Sequence, residues 1–298
     1  MMRTFLTLID RNRKLFFKDK GMLFSSLMTP IILIVLYVTF LAKVYKDSFS
    51  SNIPEIFDVS DKLINGTVAG QLVAALLAVS CVTVTFCVNL TMVQDRAFGV
   101  RKDFDVSPIR KPVIYLGYFF STVLNSLMVN LLALGVCLVY IAIMGWYLTV
   151  VDVVLLIVDL IILVLFGAVL SSIVCYPLKT QGQMSAVGTI VSAGYGFVCG
   201  AYMPISNFGE GLQKVMSYLP STYGTSLIKN HMLRGVFEEM ETKGFPSDVV
   251  NGIAGSLDCN PVFRGNVVEP KTMILIMVGT IVILGGVYLL ITALPEKK

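Results

Sequence analysis

The sequence is short of charge, of histidine, and of every motif that would hold a nucleotide or a metal. Only 14% of its 298 residues are charged, where a soluble chain has about a quarter. With 56% hydrophobic residues and a mean hydropathy of +0.81, this deficit excludes a disordered chain. A net charge of +4 is too small for a nucleic-acid binder built on a basic domain. The single histidine, His231, cannot make a zinc site alone, and no C-x-x-C pair accompanies it. Cys81, Cys87, Cys137, Cys175 and Cys199 fall in apolar runs, so only Cys259 lies in a long polar loop. That loop cannot close an internal disulfide, which excludes a secreted disulfide scaffold. There is no G-x-x-x-x-G-K-[ST], H-E-x-x-H or G-x-S-x-G, so no catalytic residue, no metal ligand and no cofactor is assigned. The first 20 residues carry Arg3, Arg11, Arg13, Lys14, Lys18 and Lys20 without a continuous apolar core, unlike a cleavable signal peptide. An integral membrane protein remains.

Long uncharged runs are what the chain does have. At roughly 20 apolar residues per crossing, six helices would use about 40% of it. The runs place spans at Gly21 to Ala42, Leu63 to Gln94, Val113 to Met144, Val150 to Tyr176, Gln183 to Tyr202 and Thr272 to Leu294. A tight turn at Gly145-Trp146-Tyr147 separates the third from the fourth, and Pro177, Pro204 and Pro295 stop the last three. The expected fold class is therefore an all-α polytopic membrane protein with six transmembrane helices, in a single domain of residues 1–298.

Lysine and arginine set the orientation. With the N-terminus inside, the segments 1–20, 95–111, 177–182 and 295–298 hold six, five, one and two of the 23 basic residues. The opposite short loops hold Lys43, Lys46 and Lys62, and the rest fall in residues 203–271, a segment too long for the rule. The expectation is N-in and C-in. Residues 1–20 read as an interfacial amphipathic helix, with Phe5, Leu8, Ile9, Phe16 and Phe17 among headgroups and the basic residues toward lipid phosphates, or else as a generic basic anchor. Residues 203–271 read as an outer hairpin: Ile205, Phe208, Leu212, Val215, Met216 and Leu219 recur at helical spacing, and Pro220 breaks the pattern. A second amphipathic stretch follows from Thr222 to Met240. Gly and Pro from Thr242 to Pro270 indicate an irregular exposed loop. Two short amphipathic helices there suit a re-entrant or interfacial hairpin on the outer face.

The loop 95–111 alternates charges of both signs: Asp95, Arg96, Arg101, Lys102, Asp103, Asp105, Arg110 and Lys111. A lipid anchor would be basic only; mixed charge suits docking in a protein groove, where paired charges fix register. A solvated connecting loop is the bland alternative. Asp95-Arg96, Gly99 and Val106-Ser107-Pro108-Ile109, followed later by Gly200-Ala201-Tyr202-Met203-Pro204 and Pro220-Ser221-Thr222-Tyr223, resemble the membrane subunit of a type-2 ATP-binding-cassette (ABC) exporter. The order and spacing cover the whole chain. Val100 and Lys102 stand where that family often has an acidic residue, and Asp105 replaces a usual apolar one.

The resemblance implies a permease that exports an amphiphile (a drug, antimicrobial peptide or lipid-like molecule) across a cell membrane, a bacterial plasma membrane being the expected one. It implies two cytoplasmic ABC ATPase subunits, with ATP and Mg bound there, and a second permease in a homo- or heterodimer. Membrane lipids are the other partner, and no nucleic acid is expected. Asp95, Arg96, Gly99, Arg101, Lys102, Ser107 and Pro108 would couple to the ATPase. Pro204, Pro220 and Tyr223 would belong to the outer hairpin.

Polar residues within the spans complete the candidates. Asp152 and Asp159 lie seven apart on one helical face. Asp152 is expected to be solvated at the outer boundary. Asp159 would cost roughly 2.5–3.5 kcal/mol at the bilayer centre, so it should face protein or water. It is either a substrate-path contact, together with Asn125, or a structural hydrogen-bond partner of Asn89, Asn125 or Asn130. Gly188, Ser192, Gly196 and Gly200 form a small-residue face suited to helix packing, inside one subunit or at a dimer seam. Asn65-Gly66-Thr67 matches a glycosylation acceptor, a match frequent by chance. His231 is expected at a surface. Three other readings stay open: an ion-coupled secondary transporter using Asp159, a polysaccharide or glycolipid exporter, and a non-transporting scaffold.

Overall fold

The computed structural model describes residues 2–36, 39, 43 and 60–293. It is helical almost throughout. Helix α1 covers Met2–Lys18 and α2 Lys20–Leu36. The expected first span beyond Leu36, with Lys46, and the last residue of the expected sixth, Leu294, lie outside the described residues, as does the C-terminal basic pair. Then follow α3 (Asp61–Ala97), α4 (Val100–Asp105), α5 (Lys111–Met144), α6 (Val150–Cys175) and α7 (Gln181–Val198). A 3-10 turn at Ile205–Asn207 leads into α8 (Glu210–Met216), α9 (Pro220–Thr242), α10 (Ser247–Ser256), a hairpin of β1 (Val262–Phe263) and β2 (Asn266–Val267), and α11 (Pro270–Ala293).

Local chemistry sets these boundaries. Ser60 accepts a hydrogen bond from the Leu63 N–H at the start of α3, and Asp61 and Arg96 sit at the ends where the helix dipole favours their charges. Thr149 with Asp152, and Thr180 with Gln183, form reciprocal capping boxes that start α6 and α7. Pro112 opens α5 and Pro220 opens α9, positions where a missing N–H costs nothing. In the hairpin, Val262 pairs with Val267, and Arg264 and Gly265 both have positive φ, the pattern of a type I′ turn.

Helix α3 is the hub. Its whole apolar run is buried, and it packs against α2, α5, α6, α7 and α9. A helix apolar on every side needs such enclosure. The main core joins Leu77, Cys81, Phe86 and Met92 of α3 to Tyr115 of α5, Leu160 and Leu163 of α6, Ile228 of α9 and Met277 of α11. Helices α5, α6 and α11 leave apolar faces outward, including Leu132, Val139, Val154, Leu275 and Val282, as lipid-facing helices do.

Among the described residues, α3, α5, α6 and α11 are long and apolar enough to cross a membrane; α2 is a shorter apolar helix. The chain is thus a polytopic helical membrane protein. Tyr202 is not part of the fifth helix, which ends at Val198 and turns back so that Ala201 and Tyr202 N–H bond to Gly196 O.

Three expectations are corrected. Helix α9 is not a surface amphipath: Ser221, Thr222, Thr225, Ser226, Lys229 and His231 are all buried in it, because α3, α6 and α11 surround it. The stretch after Thr242 is not irregular throughout. It holds α10, which packs Val250 and Ala254 with Leu63, Leu233, Val236 and Met240 into a second core that also buries Cys259. And α1 does not spend its apolar face on headgroups alone, since Leu8, Asn12 and Phe16 are buried against protein, chiefly α5. The molecule therefore has a basic end, with α1 and residues 95–111, and a cap end, with α9 and α10.

Candidate functional site

At the basic end, α3 delivers Asp95 and Arg96 to the junction with α1, α5 and α6. Arg11 of α1 grips Asp95 with both guanidinium nitrogens, at 2.6 and 2.9 Å, and Tyr118 of α5 donates to the same carboxylate at 2.5 Å. The fork geometry of such a pair makes it directional as well as charged. The carboxylate raises the pKa of Arg11 further, chiefly through the hydrogen bond and against the cost of burial. Asn12 links Arg11 to Ser121 through its own side chain. Arg96 turns the other way. Its Nη1 donates to the carbonyls of Tyr176 and, at 3.0 Å, Leu178, while Nη2 donates to Tyr115 Oη at 3.2 Å. A cation there answers the unpaired carbonyls and negative dipole at the end of α6.

Gly99 (φ 82°) makes the turn into α4, a left-handed conformation costly for other residues. Helix α4 then has two faces. Arg101 is buried, with its guanidinium 4.7 Å over the Tyr115 ring, and Phe104 packs on the core while Arg11 stacks on it. Outward stand Phe98, 67% exposed, and Val106, 87% exposed, flanking the exposed Lys102 and Asp103. Ser107 closes the turn by donating to Phe104 O at 2.7 Å, and Pro108 is exposed. The sequence candidates thus divide: Asp95, Arg96 and Arg101 face inward, and Lys102 and Pro108 outward.

A cleft of about 880 Å³ opens between α2, α3 and α7. Ser25, Thr29, Ser185, Thr189 and Ser192 give it hydroxyls, and Met28, Ile32, Leu90, Phe197 and Met203 make it apolar; none of its described lining residues is charged. Gly188 and Ser192 line it, so the small-residue face splits. Gly196 instead lies under the ring of Tyr202, and Gly200 turns the chain after α7.

Asn125 and Asp159 do not line the cleft. Asn125 is fully buried in α5. Asp159 Oδ2 lies 2.6 Å from His231 Nδ1, so its partner is on α9 and none of the three asparagines. His231 is 6% exposed rather than at a surface. Asp152 is also enclosed: its carboxylate accepts from Thr149 N–H and Oγ1 and faces Arg234 Nε at 2.8 Å. A third side chain of α9, Lys229, meets Asp258 at 3.4 Å. Of the outer-hairpin candidates, Pro204 precedes the 3-10 turn, Pro220 starts α9, and Tyr223 is buried with its hydroxyl donating to Ser217 O.

Sequence reasoning missed Arg11, Tyr115 and Tyr118 at the basic end and Lys229, His231 and Arg234 on α9. One signal was present for the second group: two aspartates in an apolar span require polar partners, and α9 carries Lys229, His231 and Arg234 within six residues.

The sequence model of a family described as ABC-2 type transporter matches residues 3–233. No curated protein matches the chain.

Proposed function

From the premise that the chain belongs to the ABC-2 type transporter membrane family, we propose that it is the permease subunit of an ATP-driven exporter for an amphiphile. Six spans, N-in and C-in, put the basic end in the cytosol. There the outward face of residues 95–111, with Phe98, Lys102, Asp103 and Val106, seats in a separate ABC ATPase that binds ATP and Mg. Two ATPases and a second permease complete the transporter. The cleft between α2 and α7 is the substrate path or its half, and Gly188 and Ser192 face the partner permease.

The observation that carries this reading is the division of the 95–111 segment. Its inward charges are consumed by the chain's own helices, whereas Lys102 and Asp103 on the short α4, and the apolar Phe98 and Val106 that flank it, are left facing out. Apolar anchors ringed by charges are how a protein groove is filled. The uncharged, hydroxyl-dotted lining of the cleft favours a drug-like, peptide or lipid-like amphiphile over an anionic glycan polymer.

The test is affinity purification of the tagged chain from native membranes with a nucleotide analogue present. A stoichiometric P-loop ATPase is expected, and Phe98→Asp with Val106→Asp should lose it while the protein stays inserted and melts normally. Retention of the ATPase and of ATP-dependent transport by that variant would sink the coupling assignment. Recovery of an active chain alone would favour the ion-coupled alternative, which gains a specific observation in the buried Asp159–His231 pair; there Asp159→Asn should abolish transport.

A further inference from the structure

The segment from Gly200 to Ile205 is held at both ends by one buried ion pair. Lys229 Nζ donates to Gly200 O at 2.9 Å, and Asp258 Oδ2 accepts from the Ile205 N–H at 2.9 Å. Lys229 and Asp258 stand 3.4 Å apart and hold each other. Lys229 is 0% exposed and Asp258 7%. Between the two anchor points, Ala201, Tyr202 and Met203 form part of the cleft wall. This strap belongs to no helix or strand. Its N-terminal part returns to Gly196 O through the Ala201 and Tyr202 N–H groups, and the clamp holds its far end.

Stability alone gives little reason for this arrangement. A buried ion pair is often no better than apolar residues of the same volume, whereas losing one partner is costly. The left-handed conformation of Asp258 (φ 58°) belongs to the end of α10, where Cys259 N–H closes on Ala254 O. The enclosed charge is what is spent where a short strap meets the end of α7. That cost is explained if the pair is a fastening that must hold firmly and release as a unit.

We propose that Lys229 and Asp258 are positioning residues that clamp the strap 200–205 shut as the cap-end wall of the cleft, and that this wall opens when the clamp releases. The clamp needs no assumption about transport; that its opening serves substrate exit rests on the exporter reading.

The experiment uses Met203→Cys in the full chain, reconstituted in nanodiscs, with a bulky membrane-impermeant maleimide. All six native cysteines are buried, so labelling at 203 is readable above them. With the clamp intact, labelling should be slow. Asp258→Asn or Lys229→Met should speed it by about tenfold, equivalent to losing roughly 1.4 kcal/mol of closing free energy. Asp258→Glu, which keeps the carboxylate, should stay within about twofold of the parent. Labelling of Cys81, Cys137 and Cys175, buried away from the strap, reports in the same mass spectra whether a variant has unfolded. If it has, the decision passes to the unaltered clamp: during ATP turnover with the partner ATPase, labelling at 203 should rise several-fold. Unchanged labelling in folded variants overturns the clamp, and so does unchanged labelling in turnover where the variants unfold. Faster labelling in folded variants without a response to turnover keeps the clamp and removes the exporter reading of it.

Discussion

The two ends of the bundle handle charge in opposite ways. At the basic end, Arg11 remains 30% exposed beside an Asp95 carboxylate that is 9% exposed, and Lys102 and Asp103 on the adjoining α4 face solvent. At the cap end, Lys229 with Asp258 and His231 with Asp159 are enclosed on both sides, and Asp152 is 0% exposed beside Arg234. The difference follows from what each set of charges holds. Arg11 ties a peripheral helix to the rim, where water shares the work. Lys229 and His231 take a polar helix into the interior of an apolar bundle, where only protein can pair them, while Arg234, 37% exposed, stays at the rim over a buried Asp152. The basic end can thus offer a surface, and the cap end cannot be opened at any of these contacts without exposing a buried charge.

That contrast orders the expected effects. The largest belongs to the cap: His231→Leu should cost about 3–5 kcal/mol by leaving Asp159 buried without its partner, with much of the loss recovered in His231→Leu with Asp159→Leu. Thermal unfolding of single and double variants in detergent reads this directly; equal melting of wild type and single variant would erase the contrast. Close behind is Gly235→Ala. Its added Cβ would come 1.8 Å from Tyr147 O, so α9 must shift from the turn between α5 and α6, at a cost of about 1–3 kcal/mol.

At the basic end, Arg11→Ala should cost roughly 1.5–3 kcal/mol, less than His231→Leu and comparable with Gly235→Ala, since Tyr118 still serves Asp95 and water can enter. The outward pair should cost least in stability. Phe98→Ala and Val106→Ala should shift it by no more than about 0.5 kcal/mol, while weakening ATPase recovery in pull-down. A large stability loss there would mean these side chains pack within the subunit.

The smallest effect is in pH. Burial raises the Asp258 carboxyl above its ordinary range, against the pull of Lys229 and of the Ile205 N–H. A carboxyl whose folded pKa is raised contributes stability that is present below its unfolded value and lost as pH rises through the folded one. Asp258→Asn should therefore flatten the decline in melting temperature above about pH 4 relative to wild type. Parallel curves would show that this carboxyl does not titrate in that window.

Much of the helical scaffold was legible. The run after Pro112 gave a helix to Met144, and the Gly145-Trp146-Tyr147 turn and Pro177 bracketed the next, because turns and prolines act within a few residues. Asp159 was legible as a residue in need of a partner, whereas Asp152 read as solvated and is enclosed. The partners were not legible, since His231 and Arg234 lie over 70 residues onward in a stretch whose Ser, Thr and charged residues read like a surface. The same applies to Arg11, which reads as a lipid-facing base until α5 brings Tyr118 and α3 brings Asp95 against it.

By itself, the sequence determined a chain that must dissolve in lipid, where several of its long apolar helices begin and end, and which end carries the basic charge. Those are local or compositional matters, fixed by the transfer of apolar runs from water and by backbone groups that need partners nearby. Only the tertiary structure decided that α9 lies inside, that the 95–111 charges split between two faces, and that Lys229 and Asp258 fasten one strap. Each of these depends on which distant side chain removes a charge from low dielectric, and that choice is made by packing.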